Sequence, residues 1–338
     1  MFNGHGDDTY RYPGIRLNFS SNVYAGFYHE NLFACLADRL DDVLSYPEPR
    51  PHQQEKVLAS RMGLEASQLM LTNGATEAIY LIAQTYTRKK SVILQPTFSE
   101  YEDACRLHGH EVSMVYHLQS IPLDADLVWI CNPNNPTGQV IGHDELFSFI
   151  TSRPQTVFII DQSYEDYTEH PLLTLQETCG QAHVFLLHSL TKRFAVPGLR
   201  IGYLTGNADL LTDVRLRSMP WSFPSMSCAA VDYFLQHDMD EEFSFNLHAL
   251  LQERQRVCAA LMSTGFVEVW PSETHFMLCR LRMGYASALK EYLAAEHGML
   301  IRDASNFHGL DKSYFRIAVH SRTADDQLLE ALGQWAMQ

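Results

Sequence analysis

Thr156–Tyr164 reads TVFIIDQSY, an apolar run of four, Val157–Ile160, followed by an aspartate. A strand with one wet face alternates apolar and polar side chains, whereas an unbroken apolar run needs cover on both faces. Ser91–Thr97 (SVILQPT), Ala125–Asn135 (ADLVWICNPNN) and His183–Leu190 (HVFLLHSL) have the same form, each closing on polar residues. Between such runs, Ala75–Tyr86 (ATEAIYLIAQTY) and Phe98–Gly109 (FSEYEDACRLHG) space their apolar residues at helical intervals. The alternation predicts an α/β fold whose mostly parallel sheet is covered by helices, with ligand chemistry at the carboxyl ends of the strands.

From about Asp238 the pattern changes. A long charged helix (Phe245–Gly265) is followed by spaced short strands (FVEVW, HFMLCRL, MLIR, YFRIAVH) and a final helix. With 338 residues, more than one core usually accommodates, this predicts a large domain over 31–237, a smaller α/β domain over 238–338 and an irregular N-terminal arm over 1–30. Hydrophobic residues make up 46% and charged residues 19%, a composition for a soluble globule rather than a disordered chain. Against 25 Lys and Arg stand 40 Asp and Glu, so the net charge of −15 argues against a nucleic-acid partner, and any anionic substrate needs a local cluster of cations. Seven scattered cysteines without a C-x-x-C pair fit reduced thiols and a cytoplasmic location, and predict no metal site. The polar start MFNGHGDDTYRYPG does not read as a signal peptide, and no apolar run approaches the ~20 residues of a membrane span.

Four loops at strand ends carry unusual residues. In LTNGATEA, Gly74, Ala75 and Thr76 lie where a loop becomes a helix, so free amides and a hydroxyl can take a phosphate; an ordinary cap with Glu77 in the first turn explains the same letters. CNPNNPTG, with Asn135, is adequately a turn by composition. Asp161 after its apolar run is a helix cap or an anion buried for a cationic partner. HSLTK and GLR add Ser189, Thr191, Lys192 and Arg200, and the apolar residues bracketing Lys192 argue against a freely solvated lysine.

Taken together and in this order, these loops resemble the fold type I pyridoxal 5′-phosphate enzymes, in the class I/II aminotransferase family, over nearly the whole chain. The resemblance implies that Lys192 carries the cofactor covalently through its amine. It implies that Asp161 faces the pyridine nitrogen, that Asn135 and Tyr164 donate to the phenolic oxygen, and that Tyr101 stacks on the ring. Gly74, Ala75, Thr76, Ser189 and Arg200 then hold the phosphate, and Tyr46 in SYPEP reaches the neighbouring subunit of a homodimer.

Within the family, HSLTKRFAVPGLRIGYL, SMPWSFPSMS and MLIRDASNFHGLDKSYFRIAVHSR are similar to the L-threonine-O-3-phosphate decarboxylases of cobalamin biosynthesis. His5 and Gly6 in NGHGDD match a stretch that in those enzymes touches substrate phosphate. Asp7, where glycine is usual, and Tyr164, often phenylalanine there, depart from that pattern, and histidinol-phosphate aminotransferase stays as the alternative. Independently of family, Arg302, Arg316, His320 and Arg322 form the local cation cluster that an acidic protein needs for an anionic substrate, whose carboxylate the resemblance assigns to Arg316. Arg316 alternates inside an apolar strand, where an unpaired guanidinium is costly.

Overall fold

The structure is a computed structural model that describes residues 6–237 and 242–337. After a short strand β1 (Leu17–Asn18), seven strands form one sheet: β2 (Leu69–Asn73), β3 (Lys90–Leu94), β4 (Glu111–Val115), β5 (Leu127–Cys131), β6 (Val157–Asp161), β7 (Val184–His188) and β8 (Ile201–Gly206). Their spatial order is β2-β8-β7-β6-β5-β3-β4, and β8 alone runs antiparallel to its two neighbours.

The apolar run of β6 shows why the sheet is buried on both faces. Ile159 packs into a layer with Ile79 and Ile82 of helix Gly74–Thr85 and Ala104 of helix Glu100–Leu107. Phe158 and Ile160 point the other way, into a layer with Leu146 and Ile150 of helix His143–Thr151. With a pleat of period two, only apolar residues at every position satisfy both layers.

One edge of this sheet collects the chemistry. Cys131 pairs with Asp161 in register, Asp161 with Leu187, and Asn73 with Ile201, so the ends of β2, β5, β6 and β7 and the start of β8 lie side by side. Gly74, Asp161, Ser189 and Arg200 each sit at or one residue beyond these ends.

The C-terminal residues build a second layer: β9 (Val267–Val269), β10 (Phe276–Leu281), β11 (Met299–Leu300), β12 (Arg302–Asp303) and β13 (Tyr314–Ala318). Four of these form an antiparallel sheet in the order β12-β13-β10-β9, packed on helices Leu247–Ser263, Ala286–His297 and Arg322–Ala336. The arm belongs to this layer. β1 pairs with β11, the Phe19 carbonyl accepts from the Ala318 amide at 2.9 Å, and the Phe19 ring lies in the same core. Asp8 and Lys290, both buried, close a bidentate ion pair at 2.7 and 2.8 Å that pins the arm to helix Ala286–His297.

Candidate active site

A cleft of about 480 Å³ opens at the chemical edge of the large sheet, and the arm and C-terminal layer form its other wall. This is the size and position at which α/β proteins hold small ligands. Lys192 stands on its floor, in a single helical turn, Leu190–Arg193, that follows β7. Its amine is pushed down to about 8, first by burial and then by the Arg316 charge, while Asp7 and Asp161 pull the other way. Near neutral pH a usable fraction is therefore an unprotonated nucleophile.

Asp161 is 4% exposed, and both of its oxygens are held. Oδ1 accepts the Ser163 amide at 2.9 Å and Oδ2 accepts the Tyr101 hydroxyl at 2.7 Å. Burial beside this carboxylate raises the Tyr101 phenol far above its ordinary value, so it stays a donor. Of the two readings of Asp161 the structure keeps the buried anion: the Ser163 bond closes a local turn and caps no helix, the next helical turn starting only after Tyr164, and the carboxylate faces the cleft.

The start of helix Gly74–Thr85 is an anion cradle. Gly74 has φ +74°, and a Cβ there would come within 2.4 Å of Arg200 Nη2, so only glycine lets the guanidinium lie against the helix end. Gly202 of β8 packs equally tightly beneath Ala75, where a Cβ would meet the Ala75 amide nitrogen at 2.4 Å. Glu77 caps the Asn73 amide at 2.6 Å, the ordinary cap reading, and this leaves the next amides toward the cleft. Ser189 and Thr191, their hydroxyls 2.6 Å apart, face the same space.

Across the cleft, Arg302 and Arg316 are each 5% exposed. Arg316 donates to Asn135 Oδ1 and, at 2.6 Å, to the Ser20 carbonyl; Arg302 donates to Asn306 Oδ1 at 2.7 Å. Among the described residues neither has a carboxylate within ion-pairing distance, and Arg316 Nε is buried without a partner. Burial lowers both guanidinium groups to about 10, which leaves them charged at neutral pH. Two buried cations in one cleft, without an ion-pair partner among the described residues, are a site for a ligand with anionic groups. A Cβ on Gly6 would lie 3.3 Å from Arg302 Cδ and 3.5 Å from Arg316 Nη2, so the arm brings Gly6 against both. Because Arg316 can only donate, the Asn135 oxygen faces it and the amide NH2 is left to serve the cleft. Tyr164, 5.0 Å from Phe276 in an edge contact, is raised to about 12 by burial and is a donor as well.

The remaining predicted residues divide between the cleft and its surroundings. Tyr101 lines the cleft, with one ring face packed on Trp129 at 5.8 Å and its hydroxyl held by Asp161. Phe98, three residues earlier and lining the cleft, is the aromatic ring the sequence reading passed over. Arg322 is exposed at the first turn of helix Arg322–Ala336, outside the cleft lining, with its charge near Glu253. His320 is no cation, because burial against Phe19 at 4.6 Å pushes its pKa down to about 4. Tyr46 is 84% exposed and does not line the cleft of its own chain. His5 lies outside the described residues. Ser20, Ser21 and Asn22 line the cleft without having carried any motif.

The family profile described as "Aminotransferase class I and II" matches residues 15–332. The chain belongs to that family. Among class I and II relatives it is 28% identical to the threonine-phosphate decarboxylase of Salmonella typhimurium, covering 95% of this chain and 91% of that protein. It is 28% identical to the histidinol-phosphate aminotransferase of a Thermoanaerobacter species, covering 85% and 83%. The crystal structure of L-threonine-O-3-phosphate decarboxylase from Porphyromonas gingivalis superposes with a TM-score of 0.92 at 33% identity, covering 95% of this chain and all of that one. As a member of this aminotransferase family the chain is a pyridoxal-phosphate-dependent enzyme of fold type I. The donor set fits the cofactor: a helix end, a guanidinium and hydroxyls for a phosphate, an anchored carboxylate for a ring nitrogen, and an amine of lowered pKa for an aldehyde.

Proposed function

We propose that the enzyme decarboxylates L-threonine O-3-phosphate to an aminopropanol phosphate, the cobalamin-pathway reaction. The observation that carries the reading is the pair Arg302 and Arg316, buried, without carboxylate partners among the described residues, and gathered with Gly6 across the cleft from Lys192. A carboxylate and a phosphate on one small substrate answer two such cations, and the likeness to decarboxylases of this substrate supports the choice.

Pyridoxal phosphate, when bound, supplies an electrophilic carbonyl for the substrate amine and an electron sink for the bond broken at Cα. Lys192 would hold it, with the helix end at Gly74, Ala75 and Thr76 and the side chains of Ser189 and Arg200 on its phosphate. Asp161 would keep the ring nitrogen protonated, fixed in place by the Tyr101 hydroxyl and the Ser163 amide. Asn135 and Tyr164 would donate to the ring oxygen, and Phe98 would cover a ring face. Arg316 grips the substrate carboxylate and Arg302 the phosphate beside Gly6, so the position of the carboxylate at Arg316 selects whether carbon dioxide or a proton leaves Cα. The protonated form of the Lys192 amine, still the larger fraction at neutral pH with the pKa at about 8, would then return a proton to Cα.

The proposal extends to assembly. Tyr28, Phe33, Leu40, Leu44 and Tyr46 are exposed apolar residues concentrated within the first fifty positions, and Trp221, itself exposed, lies tilted against Tyr46 at 5.2 Å. A homodimer covers such a surface and lets Tyr46 reach the partner's phosphate cradle. The division into 31–237 and 238–338 belongs to the same reading, with the arm riding on the smaller part. No described helix is long and apolar enough to cross a membrane.

Purified holoenzyme given L-threonine O-3-phosphate should release carbon dioxide with no 2-oxo acid present. The second reading, transamination of histidinol phosphate, draws on the Tyr164 hydroxyl and on the aminotransferase relatives. Formation of glutamate from 2-oxoglutarate and histidinol phosphate, without carbon dioxide release, would establish it instead.

A further inference from the structure

Tyr167 lies six residues beyond Asp161 in the same loop, fully buried, and outside the cleft lining. Its hydroxyl donates to the Lys192 carbonyl at 2.8 Å and accepts the Tyr24 backbone amide at 2.9 Å. The Lys192 carbonyl lies at the end of a helix of four residues, where its backbone partners are the Phe194 amide, which it shares with the Leu190 carbonyl, and the Ala195 amide, distant at 3.4 Å. The Tyr24 amide belongs to the arm, two residues past Asn22, which lines the cleft. The phenol ring is clamped between His275 at 3.9 Å and Phe245 at 5.4 Å, both from the C-terminal part of the chain. One hydroxyl therefore joins three parts of the chain at the backbone of the lysine.

We propose that Tyr167 is a positioning residue for Lys192: its hydroxyl ties the lysine's carbonyl to the Tyr24 amide and fixes the amine relative to the cleft wall that the arm forms. A phenylalanine fills the same volume but leaves the Tyr24 amide and the Lys192 carbonyl without this shared partner. The ring clamp holds the side chain in place, so neither group recovers a protein partner by a rotamer change. The single turn Leu190–Arg193 is too short to hold itself, and its orientation depends on such outside bonds.

The inference rests on the reading that Lys192 carries the cofactor, and borohydride reduction of the wild-type holoenzyme followed by peptide mass analysis tests that reading separately. With the adduct found on Lys192, Tyr167→Phe is expected to retain cofactor and lower kcat about tenfold with KM within twofold. The pH at which the near-visible band of the bound cofactor changes should move by half a unit or more. Tyr24→Phe, which keeps the backbone amide, should behave as wild type. A Tyr167→Phe enzyme with kcat within twofold and an unmoved band reduces Tyr167 to a space-filling residue and overturns the proposal. Should that variant fail to fold, amide exchange in the wild-type chain decides. Exchange at Tyr24 that slows when cofactor is loaded supports the link, and exchange indifferent to loading overturns it.

Discussion

Arg316→Met separates what the buried guanidinium does for the fold from what it does for the substrate. Burial lowers Arg316 from 12.5 to about 10, and at about 1.4 kcal/mol per pKa unit the charge costs the unliganded protein roughly 3 kcal/mol. Its bonds to Asn135 Oδ1 and the Ser20 carbonyl return about 1.5 kcal/mol each, and both acceptors line a cleft that water enters once the guanidinium is gone. These contributions nearly cancel, so methionine should change the stability of the unliganded protein by no more than about 1 kcal/mol, or a few degrees in Tm. In the complex nothing cancels: a substrate carboxylate left unpaired in a buried site costs about 3–5 kcal/mol, on the order of 10²- to 10³-fold in kcat/KM. Thermal melts of the unliganded variant and carbon dioxide release by the loaded enzyme read the two effects. A Tm fall beyond about 5 °C would show that Arg316 is structural, and a kcat/KM loss below about tenfold would show that the carboxylate goes elsewhere; either result refutes the reasoning.

Other perturbations follow from the same geometry. Tyr101→Phe removes the O–H donor from Asp161 and should lower kcat about tenfold, with cofactor retained and its affinity little changed, as titration of the near-visible band would report. Lys290→Met leaves Asp8 buried without its partner and should cost about 3–5 kcal/mol in urea denaturation. The Asp8→Asn/Lys290→Met double variant should recover most of that, and an additive cycle would deny the pair any coupling. His320 has its folded pKa lowered to about 4 from 6.5, so the unfolded chain binds the extra proton between these values. Its contribution is complete above pH 6.5 and is lost as pH falls toward 4. Asp325, whose two oxygens accept the His320 amide, opposes this: raised to about 7 by burial, it weakens the fold as pH rises from 3.8 toward 7. A His320→Gln variant should therefore lose the acid-side part of the pH slope that wild type shows in denaturant melts, and an unchanged slope between pH 4 and 6.5 would contradict the assignment. Lys192→Ala should abolish the reducible cofactor adduct while leaving the circular dichroism spectrum intact.

What the sequence made legible was local. The β6 run announces a strand covered on both faces because every one of its positions must be apolar for two layers to close on it, a demand met within four residues, Val157–Ile160. The chemical edge is legible for a related reason: once the strands are placed, the polar residues at their junctions with loops fall at one end of the sheet, Asp161 closing β6, Ser189 following β7 and Arg200 preceding the antiparallel β8. The opposite wall is not local. Gly6 and Ser20 reach Arg302 and Arg316 only because β1 pairs with β11, a register between Leu17 and Met299 that no periodicity encodes. Arg322 joins Arg316 in the cation cluster by proximity in the chain, yet Arg316 occupies a strand facing the cleft and Arg322 opens a helix with its own side chain exposed.

Asp7 shows how the two levels combine. Its residue type, beside a glycine that touches Arg302 and Arg316, reads as a repulsive charge for an anionic substrate. Its backbone adopts φ +60°, a conformation that costs a non-glycine residue about 1 kcal/mol and persists only where its surroundings fix it. They do so here. The Asp7 backbone amide donates to Ser20 Oγ at 3.1 Å, one carboxylate oxygen accepts from the Asn18 side-chain Nδ2, and the next residue is held in the Asp8–Lys290 pair. The strained turn thus keeps Gly6 against the guanidinium groups while its own carboxylate is engaged by Asn18. Within the cleft that carboxylate acts on Lys192, where it holds the amine's pKa up against burial and Arg316. A residue that sequence alone marks as a misfit for the substrate is, in three dimensions, a contributor to the protonation state of the lysine.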